Sequence, residues 1–275
     1  MLAALPVHLA TQFTSRNDLK QAVDAWDADE AAATAIHGHI SGWDTSRVDN
    51  FGNLFNGALP GRTQFNGEIG GWDTSKVTTM QSTFNNANAF NQQLEWDTSK
   101  VTNMKDTFAF TNSFNQPIGS WDTSQLTNMQ TTFYRALSFN QQIGGWDVSK
   151  VTMMGYNTFG YAIAFNSELA DWDTSSVTDM RYAFNRATSF NQPIGDWDTG
   201  RVKNMESTFE HAVAFDQAVH EWDISSVTKF TNMFHHANAF ISDDCKRQLT
   251  YASFSQQSAA FDLAYPSWSS AVCPS

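Results

Sequence analysis

Basic residues and long apolar stretches are scarce in this chain of 275 residues. It has 16 Lys and Arg against 28 Asp and Glu, for a formal charge of −12. An acidic surface repels phosphate backbones and anionic lipids, which disfavours nucleic acid and anionic membrane as partners. No stretch approaches the roughly 20 apolar residues that a membrane-spanning helix needs. Residues 1–13 are mildly apolar but lack the basic start of a signal peptide. We expect no transmembrane segment and identify no clear signal peptide.

Signatures of catalysis are also missing from the sequence. It contains no Gly-x-Ser-x-Gly, no His-Glu-x-x-His, no phosphate-binding loop and no dinucleotide fingerprint. We therefore expect no catalytic residues, no cofactor and no enzymatic activity.

What the sequence does contain is an internal repeat. A Trp-Asp pair recurs eight times at steps of 24 to 29 residues, and the longest step holds an insertion at residues 59–62. Five apolar columns keep register with the pairs: an Ile or Leu, a Val, a Met and two Phe. Such columns predict the core of a stacked array. The tryptophans are Trp43, Trp72, Trp96, Trp121, Trp146, Trp172, Trp197 and Trp222.

The spacing within one repeat predicts its local structure. Met129, Phe133, Ala136 and Phe139 fall on one stripe of a helix. The short segment around Ile-x-x-Trp-Asp-Thr in each repeat is typical of a strand, and one strand with one helical return per ~25 residues is the leucine-rich-repeat plan. We predict an α/β repeat solenoid, leucine-rich-repeat-like, of about eight coils with short parallel strands and helical returns.

Both ends of the chain have the composition of caps, which a solenoid needs to cover its terminal core faces. Leu19, Ala22, Val23 and Trp26 share one helical face. We predict an N-terminal helical cap at residues 1–38, the solenoid at residues 39–241 and a C-terminal cap at residues 242–275.

Two polar columns are assigned to the fold. Asp122 and its counterparts follow each Trp and precede Thr-Ser or a similar pair. We expect each Asp to close a turn by accepting a backbone N–H group, the alternative being a row of calcium ligands. Asn115 and its counterparts follow the second Phe and are expected to form a ladder that satisfies buried backbone groups.

Threonines form further columns, and these leave two interpretations open. One row includes Thr78, Thr102 and Thr127, and another includes Thr83, Thr107 and Thr132. Regular hydroxyl rows suit a periodic ligand, either a polysaccharide or ice. The alternative, which we prefer, is local turn and cap chemistry.

Histidine is the sparse reactive residue, with seven copies. His211 and His236 each lie fourteen residues after the Trp of their repeat, so they should stack on adjacent coils, with Glu210 and His235 one position before them. Two imidazoles with carboxylate support are a weak candidate for a zinc or nickel site. We prefer to interpret them as surface residues and expect no metal.

The repeat unit at residues 114–129, Phe-Asn-Gln-Pro-Ile-Gly-Ser-Trp-Asp-Thr-Ser-Gln-Leu-Thr-Asn-Met, resembles that of the BspA-like leucine-rich-repeat surface proteins. The resemblance covers about residues 17–275. It implies a secreted or cell-surface protein linked to adhesion and protein binding, with no catalytic residues. In such an extracellular setting Cys245 and Cys273 are expected to form one disulfide closing a loop of ~28 residues, rather than to remain two free thiols.

These observations lead to one functional expectation and one alternative. We expect a non-catalytic protein-interaction, scaffold or adhesion module that binds a protein partner through an extended face of the solenoid. The alternative is a binder of polysaccharide or ice through the threonine rows.

Overall fold

A computed structural model describes residues 11–57, 62–271 and 273 of the chain. Two helices precede the repeats, α1 at Arg16–Ala28 and α2 at Glu30–His37. The Ser15 hydroxyl accepts from the Asp18 N–H at the start of α1, and the Asp29 carboxylate accepts from the Ala32 N–H at the start of α2. Most of the apolar start at residues 1–13 and of the insertion at residues 59–62 lies outside the described residues.

Three further helices follow the repeats. These are α3 at Asn238–Ser242, α4 at Asp244–Gln257 and α5 at Ala259–Ala264, and a 3-10 helix at Pro266–Ser270 comes after them. Shorter 3-10 helices lie at Ile40–Gly42 and Arg62–Gln64. No helix in the described part of the chain combines the length and apolar character needed to cross a membrane.

The repeats between α2 and α3 consist of turns, so the predicted α/β leucine-rich-repeat solenoid with parallel strands and helical returns is wrong. The described residues contain no β-strand, and between α2 and α3 they contain no α-helix. Neighbouring repeats are joined by isolated parallel bridges, such as Asn103 with Asn128 and Asn128 with Met153. The bridging residue comes seven positions after the Trp, whereas the strand was expected around the Trp itself.

A different hydrogen-bond ladder joins the repeats. At alternate residues of one repeat, backbone N–H groups donate to backbone carbonyls of the next repeat. In the third repeat the donors are Met104, Asp106, Phe108 and Phe110, and their hydrogen bonds are 2.7 to 3.0 Å long. Asp106 and Phe110 have positive φ angles of 56° and 57°. In most repeats this ladder aligns four peptide groups with their N–H pointing toward the C-terminal end of the stack. Fewer backbone groups, such as the Thr102 N–H that donates to the Thr78 carbonyl, point the other way.

Consecutive tight turns account for the helix-like spacing of the apolar residues. Backbone N–H groups donate three residues back, from Ala136 to Phe133 and from Phe139 to Ala136. Such turns return a side chain to the core every three or four residues, as a helix does. The positive φ angles at Thr131 and Arg135 prevent the turns from joining into a helix.

Every member of the five apolar columns is buried in the core of the stack. Phe133 stacks between Phe108 and Phe159, with ring centroids 5.8 and 5.5 Å away. All eight tryptophans of the repeat are buried. The indole N–H of Trp146 donates to the carbonyl of Ile118 in the preceding repeat at 3.0 Å. Tryptophan thus supplies both apolar area and a satisfied polar group to each layer.

The C-terminal helices cover the last repeat. Trp268 lies 5.5 Å from Phe234 between ring centroids, and Phe261 lies 5.3 Å from Phe230. Cys245 and Cys273 are joined by a disulfide, which connects the start of α4 to the last described residue.

Candidate functional site

One surface that varies between repeats lies along the edge of the stack that holds the positive-φ residues, of which most repeats have two. In repeat two this edge is polar, with Ser82, Asn85 and Asn86. In repeats three to eight it carries aromatic, guanidinium and imidazole side chains. We call this surface the tip face; it comprises Phe110, Tyr134, Arg135, Tyr156, Tyr161, Arg181, Tyr182, Arg186, His211, His235 and His236. Four of the chain's six tyrosines lie on it, so the enrichment is local.

Arg135 lies at the centre of an aromatic cluster on the tip face. Its guanidinium carbon is 4.7 Å from the ring centroid of Tyr161, 5.7 Å from that of Phe110 and 5.8 Å from that of Tyr134. Arg186, one repeat beyond Tyr161, lies 5.3 Å from the same ring. These distances are within the range of cation–π attraction, which holds both arginines in defined positions.

Ion pairs and hydrogen bonds fix a second group of tip-face residues. Arg181 lies 4.1 Å above the ring of Tyr156 and pairs with Asp179 at 2.6 Å. The Tyr182 hydroxyl donates to Glu206 at 3.0 Å. Burial, together with the Glu206 carboxylate, raises the pKa of Tyr182, so this hydroxyl stays protonated as a donor. Several tip-face rotamers are therefore set by neighbouring groups.

Three histidines meet at the C-terminal end of the tip face. The rings of His211 and His236 stack with centroids 4.5 Å apart, and His235 lies 3.9 Å from His236. The Glu210 carboxylate is 3.4 Å from Nδ1 of His235. Burial, with a contribution from Arg186, lowers the pKa of His211 and favours its neutral imidazole. The sequence predicted that His211 and His236 stack on adjacent repeats, and in the structure His235 joins them in one cluster of three imidazoles.

The two threonine rows differ in exposure. Thr83, Thr107 and Thr132 are fully buried, so their side chains do not form a binding surface. The Thr132 hydroxyl lies 2.9 Å from the Met104 carbonyl and 2.7 Å from the Met129 carbonyl. The other row is exposed, but its hydroxyls donate to backbone carbonyls of the preceding repeat. These bonds are 3.2 Å for Thr78, 3.2 Å for Thr102 and 3.1 Å for Thr127.

The aspartate and asparagine columns make regular contacts within the stack. The Asp122 carboxylate accepts from the Ser124 N–H at 2.9 Å, and this pattern occurs at all eight positions of the column. The Asn115 side-chain carbonyl accepts from the Asn140 N–H, and the Asn115 N–H donates to Asn91, both at 2.9 Å. Both columns therefore hold backbone N–H groups in place.

Four overlapping segments of the chain match one family model, described as Mycoplasma protein of unknown function, DUF285. The segments are residues 7–95, 28–141, 58–167 and 146–250, which together extend over most of the chain. Neither a curated protein nor a solved structure shows significant similarity to it.

Proposed function

The chain belongs to the DUF285 family, and because the description of that family assigns no activity, we propose from the geometry that it is a non-catalytic protein-binding module. A partner protein docks on the tip face, and the stacked repeats act as a rigid support, as in a scaffold or adhesion protein. The observation that carries this proposal is the concentration of preset tyrosine and arginine side chains on one edge of a repetitive array.

Tyrosine and arginine contribute disproportionately to protein interfaces. Both supply large contact areas together with hydrogen-bond donors, and both are frequent among interface residues whose truncation costs most. On the tip face Arg135 and Arg186 pack against Tyr161 before any partner arrives. Docking therefore costs less side-chain entropy than it would with freely rotating side chains.

The charge pattern indicates the chemistry of the partner. Among the described residues Arg186 forms no ion pair with a carboxylate, and its side chain is exposed. A guanidinium whose face rests on an aromatic ring still presents its N–H edge for bidentate bonding to a carboxylate. A partner segment that combines carboxylates with apolar side chains matches this surface.

Affinity capture from the extracellular and membrane fractions of the source cells tests the proposal. The bait is the full chain, and the test variant carries Arg135→Ala and Arg186→Ala. The control carries Gln125→Ala and Lys150→Ala, two exposed residues outside the tip face. We expect one protein retained by wild type and control but lost with the test variant. Equal retention by all three baits would contradict docking on the tip face.

A location outside the cell or at its surface is part of this proposal. It is supported by the resemblance to BspA-like surface proteins and by the Cys245–Cys273 disulfide, since stable disulfides are typical of oxidising compartments. Protease treatment of intact cells should degrade a surface protein and leave a cytosolic marker intact.

Binding of polysaccharide or ice has weaker support. Of the two rows, only the one with Thr78, Thr102 and Thr127 is exposed, and its hydroxyl protons are directed to backbone carbonyls. We expect neither retention on insoluble glycans nor thermal hysteresis. Either activity, if lost in Thr127→Lys, would favour this alternative over a protein partner.

A further inference from the structure

We propose that His211, His235 and His236 form a binding site for a divalent transition-metal ion, with Zn²⁺ as its probe. Each imidazole offers one nitrogen, and these three nitrogens all lie within 4.8 Å of one another. Neutral imidazole is a preferred ligand for zinc, nickel and copper. The site lies on the tip face, but its metal binding does not depend on the proposed protein partner.

The repeat fixes the backbone of two ligands. His211 and His236 occupy equivalent positions of adjacent repeats, both with φ of 59°. Their backbones are linked through the ladder, because the His211 N–H donates to the His235 carbonyl at 2.8 Å. Adjacent positions thus bring His235 and His236 beside His211 without any rearrangement of the chain.

A modest side-chain movement completes the coordination. Two nitrogen ligands at about 2.0–2.1 Å from a tetrahedral zinc ion lie roughly 3.4 Å apart. The nitrogens must therefore approach one another by up to about 1.4 Å from their present limit of 4.8 Å. His235 and His236 are exposed and can rotate to do so.

Glu210 supplies the second shell of the site. Its carboxylate lies 3.4 Å from Nδ1 of His235 and also accepts from the Asn185 amide at 3.0 Å. A carboxylate on one ring nitrogen directs the other nitrogen to the metal and increases its basicity. Its negative charge also offsets the nearby Arg186 guanidinium.

Space for a further ligand lies beside two of the three histidines. A cleft of about 420 Å³ borders the cluster and is lined in part by Asn232, His235, His236 and Arg247. Three protein ligands with one open position leave room for a water molecule or for a ligand from another protein.

Calorimetric titration with Zn²⁺ tests the site. The full chain is used without a histidine tag, freed of metal with a chelator, at about pH 7.5, where most imidazoles are neutral. We expect one ion per chain, with affinity at least tenfold weaker in His236→Ala and in His235→Ala. Glu210→Gln should weaken binding by about 10- to 100-fold. The control is His220→Ala, since His220 lies outside the cluster and contacts Glu221.

Several results would overturn the proposal. These are an absence of Zn²⁺ binding by wild type, unchanged affinity in both His236→Ala and His235→Ala, or an equal loss in His220→Ala. Circular dichroism without metal checks that each variant folds; because His235 is exposed, His235→Ala keeps the test valid if another variant does not fold. Because these titrations contain no partner protein, their result tests the metal site alone and is independent of whether a partner docks on the tip face.

Discussion

At the scale of single residues, the stack depends on polar side chains that hold backbone groups. The aspartate column places eight carboxylates at one-repeat spacing, and each accepts from the backbone N–H two residues ahead. Hydrogen bonds from Ser side chains and backbone N–H groups lower the pKa of Asp97, Asp122 and Asp147 from 3.8. The folded chain therefore favours their charged form.

This preference predicts acid sensitivity. Groups with a lowered folded pKa stabilise the protein fully above about pH 4, and the stabilisation is lost as the pH falls through the lowered values. A triple variant with Asn at Asp97, Asp122 and Asp147 should lose less thermal stability than wild type between about pH 6 and pH 3.

The matched control removes three carboxylates outside the column, with Asn at Asp49, Asp171 and Asp196. Its melting temperature should respond to acid as that of wild type does. Equal acid sensitivity of the column variant and the control would contradict the role assigned to the column.

Thr132 illustrates a buried hydroxyl with a structural role. Thr132→Val keeps the shape but leaves the Met104 and Met129 carbonyls without this donor. We expect a loss of about 1–3 kcal/mol in the free energy of unfolding by urea. Thr127→Val, at an exposed position, should cost less, and an equal cost for the two changes would disprove the distinction between the rows.

At the scale of one repeat, stability resides in the aromatic layers. Phe133 packs between Phe108 and Phe159, and its ring centroid is 4.2 Å from that of Phe139. Phe133→Ala should lower the free energy of unfolding by about 3–5 kcal/mol, measured in urea. Phe110→Ala is the control, because Phe110 is only partly buried on the tip face. A similar loss in both variants would contradict the layer model.

The sequence predicted the buried residues of a repeat better than its backbone. Burial follows from side-chain chemistry, which the columns of Trp, Met and Phe display directly. The backbone depends on the sign of φ, and residues such as Asp106, Arg135 and His211 give no glycine signal for positive φ. The pattern of three and four residues was therefore interpreted as a helix.

The candidate site was predictable only in part, for a related reason. His211 and His236 share a column, so their proximity follows from the period. Most other tip-face positions, however, differ in residue type from one repeat to the next, so a search for regular columns does not detect them. The sequence did contain a signal: where repeat two has polar residues, later repeats have Phe110, Tyr134, Arg135 and Tyr161.

At the scale of the whole molecule, the two ends of the stack are covered differently. At the first repeat the Arg16 guanidinium donates to the Gly52 carbonyl at 2.6 and 2.8 Å. At the last repeat the Tyr265 hydroxyl accepts from the Phe234 N–H at 3.0 Å. The N-terminal cover thus supplies a hydrogen-bond donor to a carbonyl of the first repeat, and the C-terminal cover supplies an acceptor to an N–H group of the last repeat.

The disulfide should stabilise the C-terminal cover. Cys245 and Cys273 are separated by 28 residues, and a cross-link of that span is worth about 3–4 kcal/mol in the chain-entropy model. Changing both cysteines to Ser should lower the urea midpoint, and a reducing agent should lower the midpoint of wild type only. A midpoint unaffected by either treatment would show that the bond does not stabilise the fold.

Because most of the peptide groups that join the repeats point the same way, the two ends of the repeat stack are not equivalent. A fragment of residues 38–237, without both covers, would expose mainly N–H donors at its C-terminal end and mainly carbonyl acceptors, in matching register, at its N-terminal end. Such ends join head to tail, and the contact does not close on itself as a symmetric dimer does. Sedimentation of this fragment should reveal an open-ended series of species that grows with concentration, whereas a single dimer would show that the exposed ends do not recognise each other.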